Sequence, residues 1–335
     1  MTNISSADYV ALTTDMWSIS NTMTPYMSIT AHYIDKDWVL QSNCFGTIYV
    51  PESHTTDYLA DSLLESIKEW AVDERKISCI TTDNGANVAA AVRQLNWPWL
   101  NCFGHNLNVA INNSLQKEKA STDRAFGVCR ATNGAFSKSW HRRRELVKAQ
   151  EELNIPNHSL ITDCPTRWGS KLKMTERILE QTTAIRRVFA DNKSRRPLPN
   201  LTWEDISVLE SVNKGLKPVA DLTDVLLGET YVTVSSVTPV IQHRRRVLPE
   251  NDDETQLGKK IKTGILEELD AKYNNHATQK LLRISTLLEQ TKTEVLDAIT
   301  ECHRHSNPVN HENMEEQHAN TSVQEVPLKK KKHTE

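Results

Sequence analysis

Two matched strand ends constrain this chain more than any other feature. ALTTDMWSI (Ala11–Ile19) and ISCITTDNGANV (Ile77–Val88) each run β-branched residues into Thr-Thr-Asp, and the aspartates, Asp15 and Asp83, lie 68 positions apart. β-Branched runs bounded by turn residues favour strands. Between them PYMSITAHYID (Pro25–Asp35) alternates, with Met27, Ile29, Ala31 and Tyr33 on one side, and WVLQSNCFGTIYV (Trp38–Val50) follows after a short Asp-Lys-Asp turn. These segments predict a three-strand antiparallel meander. If the first and fourth strands are neighbours, Asp15 and Asp83 converge. Adjacent carboxylates repel and are best relieved by a divalent cation between them. Hard oxygen donors favour Mg²⁺ or Mn²⁺, and such a site can hold a phosphate oxygen and activate water. An Asp after Thr-Thr can equally cap a turn or the next helix, and the sequence leaves both roles open.

The rest of the first 117 residues reads as mixed α/β. A Thr-capped helix carries Leu59, Leu63, Leu64, Ile67 and Trp70 at helical spacing. The fourth strand, a helix over ANVAAAVRQL, a short fifth strand in WPWLNCFGH and a helix over NLNVAINNSL complete a βββαβαβα order. Gly85 is expected to let the backbone turn sharply after Asp83-Asn84. Beyond Gln116 the period becomes helical, over Arg130–Leu153, Ser170–Asn192, Trp203–Leu227, Val232–Leu248, Leu257–Lys272 and Lys280–Glu301. Residues 305–335 are polar and expected to be disordered. The predicted domains are therefore 1–117, 118–304 and 305–335.

Charge distribution says more than the net charge of −3. From Arg124 to Arg196 there are 16 lysines and arginines against 7 acids. That basic block, with Arg142, Arg143 and Arg144 at its centre, suits either a polyanion or a solvated helical surface. The 6 cysteines form no C-x-x-C pair, which removes a zinc-finger reading and fits reduced thiols. No stretch has transmembrane length, and the first residues lack a secretory pattern.

LTTDMWSISNTMTPYMSITAHYI, ISCITTDNGANV, CFGHNLNVAIN and CPTRWGS, taken together and in this order, resemble the hAT superfamily of DNA transposases, and among them the zinc-finger BED domain-containing proteins. The resemblance runs from about Ser6 to about Thr286. It implies a ribonuclease H-like core interrupted by a large all-α insertion domain, in agreement with the order read above. It also implies that Asp15 and Asp83 are the first two metal-binding carboxylates. Cys102 and His105 match a C-x-x-H beside the active site, and Trp168, next to Arg167, matches a tryptophan that stacks on a flipped base. Alone, His105 would read as a helix-start histidine and Trp168 as a packing residue. Two ligands do not make a zinc site.

The departures count as well. The family's third acid, a glutamate after the insertion in a SER-F-S-like motif, has no match, nor has the BED finger or the C-terminal dimerisation region. Glu289 lies near the point where the family pattern breaks off, and Arg244–Arg246 interrupt an apolar helix face. The expectation is a truncated, nuclear, DNA-binding relative without catalysis of its own, holding Mg²⁺ or Mn²⁺ weakly at Asp15 and Asp83, with no oligomerisation through the usual C-terminal region. The alternatives are an active transposase or nuclease with its third acid elsewhere, and a helical protein-interaction module. Lys329–Lys332 would suit a nuclear localisation signal or a solvated charge cluster.

Overall fold

Three antiparallel strands open the fold: β1 (Val10–Ser18), β2 (Pro25–Ile34) and β3 (Leu40–Tyr49). The computed structural model describes residues 7–19, 21–37, 39–50, 55–164, 169–190, 200–226 and 254–287, with Ile4 and Val237. Helix α1 (Thr56–Glu69) follows, capped by the Thr55 hydroxyl, which accepts from the Tyr58 N–H. Then come β4 (Ile77–Thr82), α2 (Ala86–Gln94), β5 (Trp99–Asn101) and α3 (Phe103–Lys117). The strands form one sheet in the order β3-β2-β1-β4-β5, with β4 parallel to β1 and β5 parallel to β4. This is the mixed five-stranded sheet of a ribonuclease H-like core.

The two faces of the sheet differ because the strands alternate. Val10, Leu12, Met27, Ile29, Ala31, Tyr33 and Ile80 are buried together with Leu59, Leu63 and Ile67 of α1 and Val88, Ala91 and Val92 of α2. The intervening positions of β1 and β2 (Ala11, Thr13, Asp15, Ser28, Thr30 and His32) face the other way. They are small or polar, and Thr13 Oγ1 lies 3.0 Å from His32 Nε2. The period-2 pattern thus assigns one face to the core and leaves the second for polar work.

A second apolar cluster holds the helical region. It takes in α3 and α4 (Lys119–Ser137), α5 (Trp140–Glu152), α6 (Ser170–Ala190), α7 (Trp203–Leu226) and α8 (Gln256–Tyr273). Residues 276–287 are also helical. The single period predicted over Arg130–Leu153 is two helices. Ser139 breaks it, its hydroxyl accepting the Arg142 N–H at 3.3 Å to start α5. A serine in extended φ/ψ offers its hydroxyl to one of the orphan N–H groups of the helix that it starts. Leu100 and α3 belong to this second cluster, so the helical core begins before Lys117. Val232–Leu248 apart from Val237, the segment after Leu287, Glu289, Arg244–Arg246, Arg167, Trp168, Lys329–Lys332 and the 305–335 tail lie outside the described residues. No described helix is long and apolar enough to cross a membrane.

Candidate active site at the ends of the first and fourth strands

Leu12 pairs with Ile80 and Thr13 with Thr81 in the parallel ladder. The same offset carried two residues further brings Asp15 level with Asp83, one residue past the end of β4. Both lie on the polar face, at the edge where β4 has stopped and β1 runs on to Ser18. Asp15 is accessible to solvent but hemmed in. Partial burial, and after it the Asp83 carboxylate, push the Asp15 carboxyl above the usual range; the Met16 N–H and His105 act in the opposite direction.

The turn that carries Asp83 is held at several points. Asp83 Oδ1 accepts the Gly85 N–H at 3.0 Å. Thr82, fully buried, donates its hydroxyl to the Asp83 carbonyl at 2.7 Å and accepts the Trp99 indole N–H at 3.0 Å. Gly85 does not serve as a sharp turn: its φ of −55° and ψ of 125° are open to any residue. What glycine gives is clearance, because a Cβ there would sit 3.0 Å from Asp83 Oδ1 and 3.2 Å from Val88 Cγ1 and would have to push them aside.

Cys102 and His105 lie at the start of α3. The Cys102 N–H donates to the Thr82 carbonyl at 2.8 Å, tying the end of β4 to the helix that presents His105. His105 bears electrostatically on Asp15, so the fold gathers Asp15, Asp83 and His105 into one neighbourhood. Two carboxylates suit a hard divalent cation. Among the described residues no three His, Cys, Asp or Glu side chains come together as a metal-holding group. Asp15 and Asp83 could supply two oxygen donors to such a cation, and the rest of a coordination shell would have to come from water, substrate or residues not described.

Two features of the site carry no local signal in the sequence. Trp17, two positions past Asp15 on the same face, stacks on Tyr26 with ring centroids 5.0 Å apart, and Tyr26 meets Tyr49 at 5.8 Å. The period of two places Trp17 beside Asp15, but only the register of three strands lines up the tyrosines. The second is a ring of amides behind the turn. Asn101 Nδ2 donates to Asn84 Oδ1 at 2.6 Å, Asn84 Nδ2 to Asn106 Oδ1 at 2.7 Å, and Asn106 Nδ2 to Tyr273 Oη at 3.0 Å.

The basic block is only partly free. Arg130 forms a two-pronged pair with Asp163, at 2.7 Å for its shortest contact. Arg124 pairs with Asp205, Arg177 with Glu180 and Lys148 with Glu145. Arg142 donates to the Ala135 carbonyl at 3.1 Å and so closes the end of α4. Arg143 is exposed. Arg144 lies over the ring of the exposed Trp140, 5.6 Å from its centroid.

A sheet of order 3-2-1-4-5, with one carboxylate within its first strand, another just past its fourth and a helical body following the fifth, defines a ribonuclease H-like domain of the transposase kind, a fold that typically uses divalent metal. Residues 13–98 match the ZBED1 RNase-like domain and residues 100–214 the ZBED1 RNase-like helical domain. The chain carries both domains and is a distant homologue of the zinc finger BED proteins and of the hAT transposases. It is 22% identical to zinc finger BED domain-containing protein 4 of Homo sapiens over 255 residues, covering 73% of this chain and 21% of that protein. It is 24% identical to zinc finger BED domain-containing protein 6 of Mus musculus, over 70% of this chain and 24% of that protein. Against the transposable element Hobo transposase of Drosophila melanogaster it is 26% identical, over 53% of this chain and 26% of that protein. The chain thus spans about a quarter of the length of these relatives.

Proposed function

We propose that this chain is a DNA-binding domain of hAT-transposase descent that holds a divalent cation at Asp15 and Asp83 and, by itself, does not cut DNA. The observation that carries this reading is the acid pair. Two carboxylates stand at one level on a polar sheet face, and the Asp83 carboxylate helps to raise the Asp15 carboxyl above its usual range. A cation there would neutralise both and draw in a phosphate oxygen of the backbone. Arg143 and Arg144 on α5, with Arg167 and Trp168 as further candidates, would add backbone contacts, which position DNA without reading its sequence. Such a role belongs in the nucleus.

The absence of cleavage rests on the donor count. Two-metal displacement needs ligands that fix both ions, and Asp15 and Asp83 offer two carboxylates toward them. A loosely held ion misplaces the reacting atoms, and an error of about 1 Å costs roughly 100-fold in rate. The test pairs Mn²⁺ calorimetry with DNA-binding anisotropy and a strand-cleavage assay. Cation binding lost in Asp15→Ala and Asp83→Ala, with salt-sensitive DNA binding and no nicking, is the expected result. Metal-dependent nicking abolished by either substitution would overturn the inactive reading, and unchanged Mn²⁺ binding in both variants would remove the cation site.

A further inference from the structure

Asn84 occupies the middle of the turn between Asp83 and Gly85, and its side chain is spoken for on both sides. Its Oδ1 accepts from Asn101 at 2.6 Å and its Nδ2 donates to Asn106 at 2.7 Å. Asn106, fully buried, passes its own Nδ2 to Tyr273 Oη at 3.0 Å. The phenol lies 3.5 Å from the Asn101 carbonyl, which closes the ring. Each amide in it is oriented by the next. Turning any one of them would set donor against donor or acceptor against acceptor.

Tyr273 is the member that comes from far along the chain. It ends α8, more than 160 residues after Asn106, and lies outside both stretches that match the RNase-like and helical domains. It is 2% exposed, and its ring rests on Phe103 with centroids 5.8 Å apart, so packing fixes where the hydroxyl points. A second hydroxyl contact joins the same helices, Ser114 donating to the Ile261 carbonyl at 2.8 Å. Gly264 sits so close to Ser114 that a Cβ would meet its Oγ at 2.6 Å. Helix α8 is therefore seated on α3 at close range, and its last residue is linked through Asn106 and Asn84 to the turn that carries the acid.

We infer that Tyr273 is a positioning residue for the Asp83 turn: its hydroxyl, acting through Asn106 and Asn84, holds Asp83 in place, so that α8 is a working part of the site. The two matched domains then do not suffice to set the acid pair. The site forms only when the helical body has closed α8 against α3. This rests on the reading of Asp83 as a cation donor for its functional consequence alone; the positional claim stands without a cation.

The experiment compares the full chain with Tyr273→Phe and, as a control, Tyr33→Phe. The control removes a buried phenol hydroxyl that accepts from Asn43 at 3.1 Å, away from the turn. The first readout needs no metal: hydrogen exchange of the Gly85 backbone N–H, which is bonded to Asp83 Oδ1. The expected result is a loss of protection of about tenfold or more in Tyr273→Phe and no comparable change in Tyr33→Phe. Protection unchanged in Tyr273→Phe, or reduced equally in both, overturns the proposal, since the phenol would then contribute only general stability. The second readout is Mn²⁺ affinity, expected to weaken several-fold in Tyr273→Phe alone. If the unmodified chain binds no Mn²⁺, the cation reading fails while the exchange result still decides the positional one. Should Tyr273→Phe not fold, Asn84→Ala removes the turn's own link in the ring and must show the same loss at Gly85.

Discussion

Ser78 stands as an extra residue beside Val10, where the parallel ladder steps from Val10–Ile77 to Ala11–Cys79, and its hydroxyl donates to the Val10 carbonyl at 3.2 Å. Without that step the ladder would set Thr82 level with Asp15. One residue of slip reverses the face on which every later side chain lies. The bulge therefore accounts for two things at once: Ile80 joins Leu12 in the core, and Asp83 joins Asp15 on the polar face.

Replacing Asp15 with Asn should stabilise the cation-free chain at neutral pH. The folded-state carboxyl is held above its ordinary value, so the folded form binds the proton more tightly than the unfolded one. Stability is then lost as pH rises from the ordinary carboxyl range through the raised value. Asp15→Asn should gain about 1–2 °C in Tm above that window, a small effect because the group is screened by solvent, and nothing below it. Thermal melts at pH 3 and pH 7 check this; an equal gain at both would refute it. Added Mn²⁺ should reverse the order of the two proteins at pH 7.

Gly85→Ala should separate site geometry from stability. Its backbone is ordinary, so the fold tolerates a side chain, but the Cβ must displace the Asp83 carboxylate or Val88. We expect a Tm change of no more than about 3 °C together with a severalfold loss of Mn²⁺ affinity. A variant that binds Mn²⁺ as well as the parent would show that the carboxylate moves without consequence.

The Arg130–Asp163 pair predicts a pH-dependent stability of the opposite sign. Hydrogen bonds from Arg130 hold the Asp163 carboxyl below its usual range. The contribution is present above the ordinary carboxyl pKa and is lost as pH falls through the depressed value. The Asp163 side chain is only 4% exposed, so Arg130→Ala leaves a buried carboxylate without its partner. The expected cost is about 1–3 kcal/mol at pH 7, discounted because the arginine is itself half exposed, and shrinking near pH 3 as the stranded carboxyl protonates. Urea denaturation at the two pH values measures it.

Charge reversal of Arg143 and Arg144 should weaken DNA binding alike on all sequences. If each contacts one phosphate, the slope of log K against log salt should fall by about 0.9 per residue. Arg142→Ala should instead cost stability, because its guanidinium closes the end of α4 at Ala135. Anisotropy titrations from low to moderate salt, run beside thermal melts, distinguish the two outcomes.

The sequence by itself determined the strands of the sheet and the helical class of the region that follows it. The alternation of Met27, Ile29, Ala31 and Tyr33 fixed which face of β2 is buried, because a strand has a period of two. The repeated Thr-Thr-Asp runs pointed to two candidate acids, and the helical period after Gln116 gave the class of the second region. The break at Ser139 has no proline or glycine to announce it, and the cap depends on the backbone conformation that the serine adopts. Tertiary structure decided the rest. The bulge at Ser78 is an offset between two strands, and no property of either strand alone contains it. Gly85 gives a clearance measured from side chains that only the folded turn brings near. Tyr273 reaches Asn106 because two helices far apart in the chain pack closely, and the geometry of a hydrogen bond is settled by that packing and not by any local preference of the residues that make it.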